Sequence, residues 1–237
     1  APLIVEMRDA WPDLVTYTPG LKAARGVRQL VSIAVERAVT HWQRSADTVV
    51  TTSARFAGII AQRGVRSVLV IRNGAHLGDT PNLGGARPPR GELRVLYAGT
   101  LGRSQGLETA LDALDRVAAG GIRVRMRLIG DGARRQFLMT RAERCKNPVE
   151  FLGTLSREEV LEHYRWADTV LVSLRAWKPL EWTVPSKLYE VMATSKHVSA
   201  MVAGEAAEVA VAGSAGFVVD PGDADALARQ WMQLAEM

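Results

Sequence analysis

Residues 184–228, VPSKLYEVMATSKHVSAMVAGEAAEVAVAGSAGFVVDPGDADALA, read as helix, short strand, glycine-containing turn, helix, strand, turn and helix. Alternation of short apolar strands with helices is the pattern of a parallel sheet covered by helices. The same stretch carries chemistry. Lys187 and Glu190 share one helix face through their i,i+3 spacing. Leu188, Val191 and Met192 surround that carboxylate with apolar neighbours, so it needs a partner or a wet cleft. The turn Ala203-Gly204-Glu205 opens the second helix, whose free backbone N–H groups can hold phosphate. A carboxylate for ribose hydroxyls, with amides and a cation for a diphosphate, is what a sugar nucleotide requires. The simpler alternative for Glu190 is a surface ion pair with Lys187.

The pattern extends N-terminally. Strand-like runs fall at Leu93–Ala98, Val124–Ile129, Val149–Leu152 and Thr169–Ser173, before His197–Met201 and Gly216–Val219. A helix near Leu107–Ala118 stops at Gly120-Gly121. Ser156-Arg157-Glu158-Glu159 is a capping box and starts a helix. Three further apolar runs, Leu3–Met7, Thr48–Thr52 and Val68–Ile71, flank helical stretches at Lys22–Arg44 and Ala54–Arg63. Between the two series, Leu77–Gly91 is rich in Pro and Gly. The expected organisation is α/β: a partial Rossmann-like domain over 1–78, a linker over 79–91, and a second Rossmann-like domain over 92–237. Three strands are few for a doubly wound domain, so part of the first domain is expected to lie outside this chain.

Composition narrows the class. The chain has 237 residues, 47% hydrophobic and 23% charged, enough for a sizeable core. A net charge of +5 and an isoelectric point near 9.7 suit phosphorylated ligands or anionic membrane surfaces. No compact basic run is interleaved with aromatics, which argues against nucleic acid. The single cysteine, Cys145, excludes a disulfide within the chain and a cysteine-based zinc site. No apolar run approaches a membrane span of about 20 residues.

Each remaining motif has a functional and a plain reading. Tyr97 to Glu108, YAGTLGRSQGLE, is strand, glycine turn and helix start. It is either a phosphate cradle or an ordinary βα turn, and it lacks the G-x-G-x-x-G spacing. Ile129-Gly130-Asp131-Gly132 and Asn147 to Gly153 end successive strands, where a ligand crevice or a tight turn would sit. Arg8-Asp9 follows the first strand. Arg8 suits phosphate or a substrate carboxylate, and Asp9 could orient an acceptor hydroxyl or act as base; otherwise the two close the turn as an ion pair. Asp223-Ala224-Asp225 spells D-x-D, but Pro-Gly-Asp-Ala-Asp-Ala-Leu is read as a helix start capped by Asp223. The four histidines show no metal-ligand spacing, so no metal is expected.

Taken together these segments resemble the family-4 glycosyltransferases of the GT-B fold. The branch that builds bacterial O-antigen, capsule and exopolysaccharide, often with amino sugars, is the most similar. The resemblance runs through VEMRDAWP, SADTVVTTSARFAGIIAQRG and VLVIRNG, then from LRVLYAGTLGRSQGLETALDAL to the end. It implies two Rossmann-like domains, with a nucleotide diphosphate sugar, UDP-linked, bound mainly by the C-terminal one. Glu190 would hold the ribose. Gly99, Thr100, Gly102, Arg103 and Gln105, with Gly204, Glu205 and Ala206, would hold the diphosphate, and Arg103 and Lys187 would supply counter-charge. Gly130, Gly132, Phe151 and Gly153 would lie near the nucleotide, and Ser186 and Leu188 belong to the PSKLYE motif. Arg8 and Asp9 fall where relatives carry His-Asp facing donor sugar and acceptor, and are the implied catalytic pair. The resemblance further implies retention of configuration, no metal and no cofactor beyond the donor.

Departures from the pattern are specific. Trp182 stands where many relatives have a first glutamate, Arg72 where they have Pro, and Ser195 and His197 where they have Gly and Pro. The family's first strands and final helices are expected to lie outside this chain, and donor binding is expected ahead of turnover by this chain alone. The implied acceptor is a glycan or polyprenyl-linked molecule at the cytoplasmic membrane face. The basic stretch from Lys22 to Arg44, with Trp42, either touches anionic lipid or is a solvated face. Alternatives to glycosyl transfer are a nucleotide-sugar-binding fragment or pseudoenzyme without turnover, and a sugar-nucleotide epimerase of related fold.

Overall fold

The computed structural model describes residues 2–16, 27–75, 83 and 91–237. The expected linker lies outside the described residues except for Leu83 and Gly91, as does the start of the Lys22–Arg44 stretch. By contacts the chain divides into two compact units. One comprises Ala1–Gly74 with Trp177–Val184 and Gly204–Ala206; the other comprises Ala75–Ala176, Pro185–Ala203 and Ala207–Met237.

In the first unit, β1 (Ile4–Met7), β2 (Thr48–Thr51) and β3 (Val68–Val70) form a parallel sheet in that order. The short helix α1 (Asp13–Thr16) follows β1. Helices α2 (Val27–Ser45) and α3 (Ala54–Gln62) connect the strands. One sheet face, with Val5, Met7 and Val49, packs on Phe56 and Ile60 of α3. Trp182 joins this cluster, part-buried. Ile4 and Leu69, on the opposite face by their register, are 64% and 53% exposed. Ser53 caps α3, accepting a hydrogen bond from Phe56 N at 3.2 Å.

The second unit holds the long sheet. Its strands are β4 (Glu92–Ala98), β5 (Arg123–Ile129), β6 (Val149–Gly153), β7 (Thr169–Ser173), β8 (His197–Met201) and β9 (Gly216–Val219). All six are parallel, in the order β6-β5-β4-β7-β8-β9. The connecting helices are α4 (Glu108–Ala119), α5 (Arg135–Ala142), α6 (Arg157–Trp166), α7 (Ser186–Ala193), α8 (Glu205–Ala212) and α9 (Ala224–Glu236). A 3-10 turn at Lys178–Trp182, which belongs to the first unit, precedes α7 in the chain.

A central parallel strand is covered on both faces and is apolar throughout, whereas β5, RVRMRLI, alternates buried and exposed residues. In β7 all of Thr169–Ser173 is buried. Leu93, Val95 and Tyr97 of β4 pack with Leu111 and Leu114 of α4 and with Leu227 and Trp231 of α9. Leu96 faces the other way and is fully buried, as are Tyr164 of α6 and Leu188 and Val191 of α7. Each fully buried Leu or Val contributes about 1.5–3 kcal/mol relative to exposure. Two expected caps are present. Ser156 and Glu159 form the capping box of α6, and Asp223 accepts from Ala226 N at 2.8 Å at the start of α9.

Candidate functional site

The six-stranded order places the sheet's switch point between β4 and β7: the chain winds one way from β4 to β5 and the other way from β7 to β8. Ligands of such sheets sit outside the carboxyl ends of the strands at that point. The turn after β4 and the segment after β7 meet there. Arg175 N donates to Ser104 O at 2.7 Å, and the Ser173 hydroxyl donates to the Gln105 carbonyl. A cleft bounded by Gly106, Glu108, Arg175, Met201, Pro221 and Gly222 opens at this edge.

The turn after β4 is held rigidly. Tyr97, buried in the core, donates its hydroxyl to Thr100 O at 2.8 Å, and burial pushes that hydroxyl well above its ordinary pKa. Gly130, in the turn after β5, has a φ of +124°, and a β-carbon there would stand 2.0 Å from the Gly99 carbonyl oxygen. The two turns are therefore stacked backbone on backbone, which only glycine permits. Leu101 N also donates to Asp131 O at 2.8 Å, and Gly132 N to the Asp131 carboxylate at 2.7 Å. Gly153 O accepts from Gly130 N at 2.6 Å, bringing the turn after β6 alongside. The structure thus gathers Gly99, Thr100, Gly102, Gln105, Gly130, Gly132 and Gly153 at one edge of the sheet. Phe151 lies in β6 beside them, partly buried. Arg103 is exposed at the tip of the first turn.

Glu190 lies on α7 of the same unit. Lys187 Nζ donates to its Oε2 at 2.7 Å and the Tyr164 hydroxyl to its Oε1 at 3.2 Å. Its side chain remains 44% exposed. The ion pair foreseen as the plain alternative exists, yet the carboxylate keeps solvent-facing capacity for a further donor. Ser186 is exposed at the first turn of α7.

Three expectations need correction. Leu188 is fully buried and its N–H donates to Pro185 O at 3.0 Å, so it is not open to a ligand. Ala206 is likewise fully buried. Glu205 is buried as well, at 3% exposure, so the amides of Glu205 and Ala206 are not open to a diphosphate, and the Glu205 carboxylate is engaged elsewhere. It accepts from Ala54 N at 3.0 Å and Arg55 N at 2.7 Å, at the N-terminus of α3, and pairs with Arg72 at 2.7 Å. Only 4% of its side chain is exposed. An anion at a helix N-terminus is favoured by the unpaired N–H groups there, and this explains the arginine at position 72. Gly204 is confined too: its φ is +65°, and a β-carbon would lie 2.0 Å from Glu181 O.

In the first unit, Arg8 and Asp9 line a shallow groove with Glu6, Met7 and Trp11. Arg8 Nε pairs with Glu6 at 2.8 Å rather than with Asp9. Asp223 caps α9, as the sequence pattern indicated, and Asp225 pairs with Arg116 at 2.5 Å. Among the described residues no group of His, Cys, Asp and Glu could hold a metal ion.

The sequence reading missed a network at the switch point. Glu108 accepts from Arg134 at 2.5 Å and from Arg175 at 3.0 Å. Burial works to raise the Glu108 carboxyl. Its own backbone N–H, the Arg134 hydrogen bond and the two guanidinium charges prevail and hold it below the ordinary value. The signal available was positional: Glu108 opens α4, and Arg175 follows β7 directly.

The described architecture is that of a GT-B fold, α/β with parallel sheets. Residues 92–237 match the glycosyl transferases group 1 family, and the chain belongs to that family. Among solved structures it is similar to WaaG, a glycosyltransferase involved in lipopolysaccharide biosynthesis, at 15% identity and TM-score 0.75, covering 99% of this chain and 66% of that one. It is similar to sucrose-phosphate synthase from Thermosynechococcus elongatus at 22% identity and TM-score 0.71, covering 98% and 61%. Anabaena HepE, solved in complex with UDP-glucose, is similar at 21% identity and TM-score 0.68, covering 99% and 65%. The chain thus spans under two thirds of each of these longer proteins. No curated protein matches it in sequence.

Proposed function

We propose that this chain carries the donor site of a glycosyltransferase that moves a hexosyl or N-acetylhexosaminyl unit from a UDP-linked sugar to a glycan or polyprenyl-linked acceptor. Glu190 receives the ribose hydroxyls. Amides of the stacked turns, with Arg103 and Lys187, meet the diphosphate. As the glycosidic C–O bond breaks, its electron pair leaves with the diphosphate; the acceptor hydroxyl oxygen forms the new bond with retention, and its proton passes to the departing diphosphate. Cations and amides already in place stabilise the leaving charge. The reaction needs no metal, and Arg8 and Asp9 serve sugar and acceptor. The observation that carries the reading is the part-exposed Glu190 carboxylate, oriented on both oxygens, in the unit whose switch-point turns are stacked on one another. The family match to that unit agrees with it.

The setting follows the O-antigen and capsule branch, at the cytoplasmic membrane face. Leu30, Val31 and Trp42 of α2 are 67%, 56% and 47% exposed, and Arg37 and Arg44 lie on the same helix. That composition supports contact with anionic lipid. Among the described residues no helix is long and apolar enough to cross a membrane.

A calorimetric screen of UDP-, GDP- and dTDP-sugars tests the donor. The proposal expects saturable binding of a UDP-sugar, followed by release of UDP when acceptor is supplied and an α-linked product from an α-linked donor. Binding without release would reduce the chain to a nucleotide-sugar-binding module, and the absence of binding would remove the reading.

A further inference from the structure

We propose that Tyr164 is a positioning residue for nucleoside recognition: its buried phenol orients the Glu190 carboxylate toward the two ribose hydroxyls and so sets discrimination between ribose and 2′-deoxyribose. This rests on Glu190 as the ribose acceptor.

Tyr164 is fully buried at the end of α6, where phenylalanine would fill the same volume. Its hydroxyl is the exception to that apolar logic. A buried hydroxyl is costly unless hydrogen-bonded, and this one donates to Glu190 Oε1 at 3.2 Å. Lys187 meets the other oxygen, Oε2, at 2.7 Å. The torsion that turns a glutamate carboxylate is broad and soft. A donor on each oxygen fixes its plane. The Lys187 contact is an i,i+3 pair with both side chains partly exposed, at 31% and 44%, and such pairs hold little geometry by themselves. Tyr164 is the anchored member, because its ring cannot move without disturbing the core. A carboxylate fixed in plane can accept from two vicinal hydroxyls at once. A freely turning one gains less from the second hydroxyl, so the fixed plane selects for ribose.

The test is calorimetry with UDP and 2′-deoxy-UDP, and with GDP and 2′-deoxy-GDP, on the parent chain, Tyr164→Phe, Glu190→Gln and the double variant. Tyr164→Phe should weaken the ribonucleotide by about three- to tenfold, the scale of one hydrogen bond. It should weaken the deoxynucleotide less, narrowing the ratio between them. In the Glu190→Gln background the same substitution should have no effect on that ratio. If Glu190→Gln leaves the ratio unchanged, or no nucleotide binds, the ribose reading falls and Tyr164 with it. If Glu190→Gln narrows the ratio and a folded Tyr164→Phe does not, the Tyr164 role alone is overturned. Should Tyr164→Phe fail to fold, Tyr164→Met removes the phenol with an adaptable apolar side chain and leaves the Glu190 carboxylate in place. A narrowed ratio then supports the proposal and an unchanged ratio refutes it.

Discussion

Replacing Glu205 by alanine should loosen the N-terminus of α3, although Glu205 lies some 150 residues away in sequence. The carboxylate accepts two backbone N–H bonds, at 3.0 and 2.7 Å, with only 4% of the side chain exposed. A hydrogen bond to a charged group contributes about 1.5–3 kcal/mol. Water entering the vacated space would restore part of this, which sets the loss from the two bonds at about 2–4 kcal/mol. The Arg72 guanidinium is 46% exposed, so solvent screening limits that ion pair to under about 1 kcal/mol. The sum is about 3 kcal/mol, or about 100-fold in a local opening equilibrium. Glu205→Gln keeps the shape but offers one acceptor oxygen instead of two, and should cost about half as much. A chain of two units need not unfold in one step, so amide hydrogen exchange at Ala54 and Arg55 is the better assay. Exchange at those two amides within about threefold of the parent in Glu205→Ala would refute the capping role and return Glu205 to the list of donor contacts.

Other consequences can be checked separately. Gly130→Ala combines a left-handed backbone with a β-carbon 2.0 Å from Gly99 O; it should cost about 3 kcal/mol or more and lower the Tm by about 10 °C, and an unchanged Tm would contradict the stacked turns. Burial lowers the pKa of His197, whose ring nitrogen meets the Thr169 hydroxyl at 2.8 Å. A depressed folded value means the unfolded chain binds the proton first, so the His197 contribution is complete above about 6.5 and is lost as pH falls through the folded value. His197→Gln should flatten the fall in Tm between pH 7 and 5, and an identical slope would exclude the histidine as its source. Glycosyl transfer should persist in EDTA, since Asp223 and Asp225 are engaged in a cap and an ion pair; a strict divalent requirement would overturn the metal-free mechanism.

The strands were legible because each of the nine described strands falls on a short run of apolar or alternating apolar residues; β7 is buried along its whole length, whereas β1 and β5 alternate buried and exposed positions. Helices with local start signals were legible as well, as at Ser156 and Asp223. Helix α5 was not, because RQFLMTRA shows no apolar period and buries only Leu138. The 3-10 turn at Lys178–Trp182 was hidden for a similar reason; its Trp182 reads as a departure from a glutamate pattern but serves the core around Phe56. At the candidate site, Lys187 and Glu190 were readable because their relation is a helical spacing. Tyr164 lies 26 residues from Glu190, and Arg175 lies 67 from Glu108. Pairings of that range depend on the sheet order, which no local pattern specifies. The Glu205 error has the same origin: a helix start after a glycine turn looks open to a phosphate until α3 is in place beside it.

The central claim is that Glu190 holds the ribose of a nucleotide diphosphate sugar. Calorimetric titration of the parent chain and Glu190→Ala with the UDP-sugar selected by the screen tests it most directly. Loss of a charged acceptor for two hydroxyls predicts affinity at least about tenfold weaker, with the Tm lowered by a few degrees because the buried Tyr164 hydroxyl loses its acceptor. Equal affinity in a folded Glu190→Ala variant would contradict it.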